Sequence, residues 1–420
     1  MLVAHPTGNT YTRSTALALD EAGLLTEFWT CVNWRDDRSF ARALPDRVRR
    51  QLRRRSFSEL SSAKVHSAPL RELGRNLAHA AGWGWPTRHE TGPCSIDAVY
   101  RSLDRRVARR LHETQGLSGV YVPEDGALAS LAATREAGIA GIYELPIGYW
   151  RASEEIYRDE RERKPEWAAT LTGVLDSQEK LARKDEELRL AGRVVVASSF
   201  TRRTLELAPS IGGPIDLVPY GAPSPIEQLP ERTRNGPLRI LFVGQLSQRK
   251  GISDLFDAVA PLGNAITLTV VGRKTSQECR PLDAALTHHR WISSLPHDEL
   301  LEEMSRHDVL VFPSVFEGFG LVILEAMSRG LVVIATPNTA APEIITDGAD
   351  GFIVPIRDPA AIQERIEWLL DDRERLGSMQ QEALSTARRH TWAQHRSRTC
   401  EVVRDAIADR PSIDSGTAQP

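Results

Sequence analysis

The chain has 420 residues, 41% of them hydrophobic, and 53 Lys and Arg against 56 Asp and Glu give a formal net charge of −3. That length exceeds one ordinary core and suits two domains of about 200 residues each. No run of about 18 apolar residues occurs, which excludes a spanning helix. The four cysteines, Cys31, Cys94, Cys279 and Cys400, are scattered and form no C-x-x-C, which argues against a zinc site or disulfide framework. The first residues lack a basic stretch followed by an apolar one, so no secretory signal and a cytoplasmic setting are expected.

Residues 2–5 are predicted as a short strand, 6–9 as a turn and 12–23 as a helix ending at glycine. Residues 35–112 carry 18 Lys and Arg against 8 Asp and Glu, a balance of +10 in an otherwise acidic chain. Arginines cluster at 42–55 and at 101–110, and both stretches read as basic helices elaborating the first domain. A solvated, internally paired face is the plain reading. An anionic membrane surface or an anionic acceptor is the functional one. No nucleic-acid recognition motif accompanies the charge. Strands follow at 119–123, 141–146, 193–199 and 215–221, with a helix at 126–137 and a long charged helical region at 152–190. The proline-rich stretch 223–237 reads as a linker.

The second half alternates more regularly. Strands are predicted at 238–244, 266–272, 308–313, 331–335 and 351–355. Helices are predicted at 253–259, 298–305, 320–328, 358–371 and 373–389. The expected organisation is a first domain over 1–222, a second over 238–390, a further helix over 391–410 and a disordered tail over 411–420. Strand–helix alternation in both halves gives doubly wound parallel sheets covered by helices, facing one another across a cleft.

Two phrases carry chemistry. In Pro313-Ser-Val-Phe-Glu317-Gly-Phe-Gly-Leu-Val-Ile-Leu-Glu325, a glutamate occupies the loop after a parallel strand, where open α/β sheets bind ligands. Glu325 follows inside an apolar helical run. Burying an unpaired carboxylate costs several kcal/mol, so Glu325 needs water or a hydrogen-bonding partner. In Val243-Gly-Gln-Leu-Ser-Gln-Arg249-Lys250-Gly251, a strand ends in glycine and two cations precede a helix. Close backbone approach, a helix N-terminus and full positive charge together suit a diphosphate.

The two phrases, with Arg193-Val-Val-Val-Ala-Ser-Ser and Asp347-Gly-Ala-Asp-Gly-Phe-Ile-Val-Pro355, resemble the retaining glycosyltransferases of family 4, which have the two-domain GT-B fold. The resemblance covers about residues 193–410 closely and the first domain in outline. It implies a nucleoside-diphosphate sugar as co-substrate, no cofactor and no metal. No Asp-x-Asp element of the metal-dependent GT-A enzymes occurs in the chain. It implies that Glu317 contacts the donor sugar, that Glu325 binds the ribose hydroxyls and that Lys250 stabilises the diphosphate. Gln245 stands where the family usually has arginine, and Arg249 is the cation expected to replace it. Gly318, Phe319 and Gly320 are expected to offer backbone amides to the sugar and the phosphate, with Leu321 among the donor-binding residues. Gly244, Gly272, Arg273 and Ile292 are expected as walls of the nucleotide pocket, and Gly8 and Asn9 as a loop near the diphosphate, although Gly-Asn is also a common turn pair. The family's first-domain histidine is replaced by Glu124 or Asp125, which leaves Asp125, Glu144 and His5 as acceptor-side candidates. The family's last helix crosses back onto the first domain, with Trp392 near the crossing. A sugar-nucleotide epimerase and a non-catalytic binder of nucleotide sugars or polyanions are the alternatives. No motif specifies the base, the sugar or the acceptor, which could be a glycan, a lipid or a small molecule.

Overall fold

Short apolar runs that stop at proline, glycine or a small polar residue form the strands of two parallel sheets. The computed structural model describes residues 1–34, 55–171, 176–230 and 236–409. The basic helix expected at 42–55 lies outside them except for Arg55, as does the tail expected at 411–420.

The first sheet contains β1 (Leu2–Ala4), β2 (Glu27–Thr30), β3 (Val65–Ser67), β4 (Gly119–Pro123), β5 (Ala140–Leu145), β6 (Arg193–Val196) and β7 (Ile215–Leu217), in the order β3-β2-β1-β4-β5-β6-β7. The second contains β8 (Leu238–Val243), β9 (Ile266–Val271), β10 (Arg290–Ile292), β11 (Val309–Phe312), β12 (Val332–Ala335) and β13 (Gly351–Ile353), in the order β10-β9-β8-β11-β12-β13. All pairings are parallel, and the central strands are buried on both faces. Each sheet reverses direction at one point, between β1 and β4 and between β8 and β11. Loops at the carboxyl ends of those strands are where such sheets take ligands.

Residues 55–112 are more than an elaboration. They supply the edge strand β3 and two helices, Leu70–Ala80 and Ile96–Glu113, the second beginning at a Ser95 cap. The arginine cluster at 101–110 is helical, and Arg110 grips the buried Glu27 carboxylate, its Nη2 2.6 Å from Oε1. That bond ties the helix to β2, so Arg110 is paired across elements rather than within its own helix. The charged region 152–190 is two helices, Trp150–Arg163 and Gln178–Leu190, separated by the 3-10 turn Pro165–Thr170.

That turn reaches across the cleft. Trp167 enters the second domain's core and stacks near Phe256. Beside it lies a charged network. Arg163 donates both guanidinium arms to Asp254 at 2.8 Å, and Glu160 accepts from Arg163 at 3.0 Å, from Gln248 at 2.8 Å and from Arg357 at 2.5 Å. The side chains of Glu160 and Asp254 are fully buried. The last helix, Trp392–Ala408, starts at a Thr391–Gln394 capping box and packs Cys400, Val402 and Val403 into the first domain's core. Among the described residues no helix is long and apolar enough to cross a membrane.

Candidate active site

The loop after β8 is shaped by glycines and stitched to the loop after β11. A Cβ on Gly251, at φ +68°, would lie 2.0 Å from the Pro313 carbonyl oxygen, so only glycine lets the two loops meet. The Arg249 carbonyl accepts from the amides of Val315 at 3.0 Å and Phe316 at 3.3 Å, and Arg249 Nη1 donates to the Phe316 carbonyl at 3.2 Å. This places both cations on Glu317. Lys250 Nζ donates to Glu317 Oε2, and Arg249 Nη1 lies 3.5 Å from the same oxygen. Burial, then the neighbouring Arg249, push the Lys250 ammonium below its ordinary pKa. The Glu317 carboxylate in contact works the other way and favours the charged pair.

The rest of the 313–321 loop is anchored. The Gly318 carbonyl accepts from Ser198 Oγ and from Thr201 Oγ1 at 3.0 Å, which docks the loop on the first domain. A Cβ on Gly318 would lie 1.9 Å from the Pro146 carbonyl oxygen, and the Gly318 amide donates to its neighbour Glu317 at 3.2 Å. Phe319 is buried against Tyr220, so its ring is a packing element. Gly320 takes φ +83° ahead of the helix Leu321–Met327, a conformation suited to glycine. Glu325 sits on that helix, mostly buried. Burial pushes its carboxyl up and the His297 ring, 3.8 Å away, pulls it down.

The strand ends beside this loop form one ladder. The Gly244 amide donates to Val271 at 3.0 Å and the Gly272 amide to Ile292 at 2.9 Å. A Cβ on Gly272 would meet the Gly244 carbonyl oxygen at 1.7 Å. Arg273 is exposed, while Ile292 and Leu321 pack on the same apolar cluster. Gly244, Gly272 and the cation pair, with Ile292 ending β10 and Leu321 opening the helix Leu321–Met327, thus lie at the carboxyl edge of one sheet.

The first-domain candidates separate. His5 is a structural hub: its Nδ1 accepts from the Thr7 and Gly8 amides at 3.1 and 3.0 Å, and its Nε2 lies 3.2 Å from Asn9 Nδ2. Burial lowers its pKa to about 4, so the ring is neutral. Asn9 caps the helix Thr10–Glu21 by accepting from Thr12 at 2.9 Å, and Gly8 lies under the Phe57 ring. Those three residues build the β1 loop and have little left to offer a ligand. Asp125 turns away from the cleft. It accepts from Arg183 at 3.2 Å and borders a surface cavity with Arg101 and Glu179. Glu144 is buried beneath the Tyr11–Tyr220 stack, and burial raises its carboxyl to about 8 against hydrogen bonds from Tyr220 and Tyr121. These three acceptor-side expectations are corrected: side-chain direction and burial, invisible in a strand-end position, send each elsewhere.

A cavity of about 490 Å³ lies between the domains instead, with Glu124, Trp150, Tyr157 and Lys184 on one side and Gln245 and Arg249 on the other. Glu124, not Asp125, faces it, paired with Lys184 at 3.3 Å. Gln245 and Arg249 share its wall, which fits one cation standing in for another. Trp150, Tyr157 and Lys184 carry no sequence signal, since they sit on the charged helices after β5. Among the described residues, His89, Glu90 and Asp176 alone bring three metal-ligating atoms within 4.8 Å, and the Lys180 ammonium already lies 3.0 Å from Asp176.

Two doubly wound domains facing a cleft, closed by a last helix that returns to the first, define the GT-B architecture. Over 97% of this chain and 98% of the other, the structure is similar to sucrose-phosphate synthase from Thermosynechococcus elongatus, with a TM-score of 0.67 at 17% identity. It is similar to Anabaena HepE in complex with UDP-glucose over 96% and 99% of the chains, with a TM-score of 0.63 at 16% identity. Residues 226–386 match the family Glycosyl transferases group 1. Among curated relatives, the Mycobacterium tuberculosis glycogen synthase is 34% identical over 149 residues, 34% of this chain and 36% of that protein. The Mycobacterium leprae phosphatidyl-myo-inositol mannosyltransferase is 30% identical over 218 residues, 49% of this chain and 56% of that protein. The matches thus span about a third to a half of those relatives.

Proposed function

We propose that this chain is a glycosyltransferase that moves a sugar from a nucleoside diphosphate to an acceptor hydroxyl with retention of anomeric configuration, as in family 4, and without a metal. The observation that carries the reading is the convergence of Lys250 and Arg249 on Glu317 beside the interdomain cavity. As the glycosidic bond breaks, negative charge grows on the leaving diphosphate. Cations already in place stabilise it by several kcal/mol without reorganising. Glu317 holds both cations in the free protein and is placed to pass to the sugar when phosphate takes them. Glu325 is assigned to the ribose hydroxyls. The acceptor enters from the Glu124–Lys184 side, and its proton leaves with the departing phosphate.

The Anabaena neighbour is solved with UDP-glucose, so UDP is the first base to try. The test is incubation with UDP-, GDP- and ADP-sugars, with thermal shift for binding and released nucleoside diphosphate for turnover. Binding with no release, even over a panel of glycan, lipid and small-molecule acceptors, would favour the non-catalytic binder. An epimerised nucleotide sugar with no free diphosphate would favour the epimerase. That second reading is disfavoured because it needs acid/base histidines and carboxylates in the cleft, and His5 is buried with its Nδ1 taken by the Thr7 and Gly8 amides.

A further inference from the structure

The helix Leu70–Ala80 is inside out for a free-standing soluble surface. Its inner face is fixed: Glu72 is buried and paired with Arg55 at 3.1 Å and Arg75 at 2.9 Å, Ala78 is buried, and Gly74 lies against the Cys94 sulfur. Its outer face carries Leu70, Leu73 and Leu77, exposed by 75%, 42% and 68%. Their spacing of three and four residues makes one stripe. Trp83 and Trp85 follow on the next turn, exposed by 62% and 68%. With Ile96, these are six of the eight exposed large apolar side chains among the described residues, all within 27 consecutive positions. An apolar patch so concentrated marks an interaction surface.

We infer that this stripe is a docking face for an anionic lipid surface, with the leucines at acyl depth and the two tryptophans at the headgroups. Charge chooses the occupant. The patch lies within residues 55–112, which carry 10 Lys and Arg against 5 Asp and Glu in a chain of net −3. Arg71 and Arg88, both exposed, flank the leucines and tryptophans. An amphipathic helix with an apolar face, flanking arginines and tryptophan at its end is the composition that lies in a bilayer interface. Each flanking cation adds about 1 kcal/mol near an anionic leaflet and loses it over a Debye length. The Glu72–Arg55 pair and the Gly74–Cys94 contact keep the helix from rolling its leucines inward. None of the stripe's residues lines the interdomain cavity, so the inference stands whether or not sugar transfer does.

Flotation of the full chain with phosphatidylcholine vesicles containing about 30 mol% phosphatidylglycerol tests it. The expected result is recovery with these vesicles, little with pure phosphatidylcholine, and loss on adding salt. Leu73→Ser/Leu77→Ser and Trp83→Ser/Trp85→Ser should each weaken partitioning by about tenfold or more with unchanged melting temperature. Wild type that stays at the bottom, or variants that float equally, overturn the inference. So does a lipid-indifferent protein whose Leu73→Ser/Leu77→Ser variant turns from dimer to monomer, which would make a second copy the occupant. A variant that melts several degrees lower also overturns it, because the stripe would then be covered by the chain's own residues.

Discussion

Lys250 Nζ donates to Glu317 Oε2 while Arg249 Nη1 stands 3.5 Å from the same oxygen, so one carboxylate holds two cations at the edge of the interdomain cavity. Under the proposed function, a diphosphate entering this site competes with Glu317 for both, which ties donor binding to release of the carboxylate towards the sugar.

Glu317→Gln should therefore leave nucleoside diphosphate affinity unchanged or tighter, because a competing charge is gone, while turnover falls by about 100-fold or more. Calorimetry with the diphosphate and initial rates with the sugar nucleotide read the two effects separately. Weaker diphosphate binding by the variant would show that Glu317 positions the cations rather than competing with the ligand.

The Arg249 guanidinium does two jobs, since it lines the cavity and also donates to the Phe316 carbonyl of the 313–321 loop, a bond that substitution removes while the backbone contacts of residue 249 remain. Arg249→Ala should lower the melting temperature as well as turnover, whereas Lys250→Ala should lower turnover with a smaller thermal effect. Gln245 faces the same cavity as Arg249. Adding Gln245→Arg to Arg249→Ala should recover about tenfold in turnover without recovering the melting temperature. If the added arginine restores nothing, Arg249 is not the replacement for the cation that position 245 lacks.

Legibility tracked how local the information was. β11 and β12, fully buried runs of Val-Leu-Val-Phe and Val-Val-Ile-Ala, are plain in the sequence because both faces of a central parallel strand must be apolar. β2 and β3 were not, being three or four residues of mixed character, β3 at the sheet edge and β2 next to it. The cation pair and Glu317 could be read as motifs because glycines and a strand end fix their loops. His5, Asp125 and Glu144 could not, because a position after a strand says nothing of which way the side chain turns. Glu124 and Asp125 are adjacent, yet one faces the cavity and the other a different surface. The Glu160–Arg163–Asp254–Gln248–Arg357 network joins residues up to 197 positions apart, and no spacing rule could have assembled it.

Glu144 makes stability depend on pH. Its carboxyl is raised by burial from 4.5 to about 8 in the folded chain. Between those values the folded state holds a proton that the unfolded state has lost, so this residue's contribution falls as pH rises through that window. Glu144→Gln removes the dependence. The variant's melting temperature should gain on wild type from pH 5 to pH 8 and hold a constant difference above it. A difference that stays flat across the range would mean that Glu144 is ionised when folded.

The network between Trp150–Arg163 and the second domain should prove a clamp. Asp254 has a fully buried side chain, and Arg163 gives it two bonds of 2.8 Å; Gln248, at 3.4 Å, is its weaker partner. Burial raises the Asp254 carboxyl above its ordinary range and Arg163 opposes the rise. Arg163→Met leaves that carboxylate buried without a cation, which costs about 3–5 kcal/mol. Glu160 suffers less, because it keeps Arg357 and Gln248. With Arg163 gone, Asp254 must bind a proton to stay buried, so the loss should grow as pH rises from 5 to 8. Arg163→Met/Asp254→Leu removes both charges together and should recover most of the stability. Urea midpoints of the two variants at both pH values check this. A single variant within about 1 kcal/mol of wild type would show that packing by Trp167, rather than this charge network, holds the first domain's helix against the second.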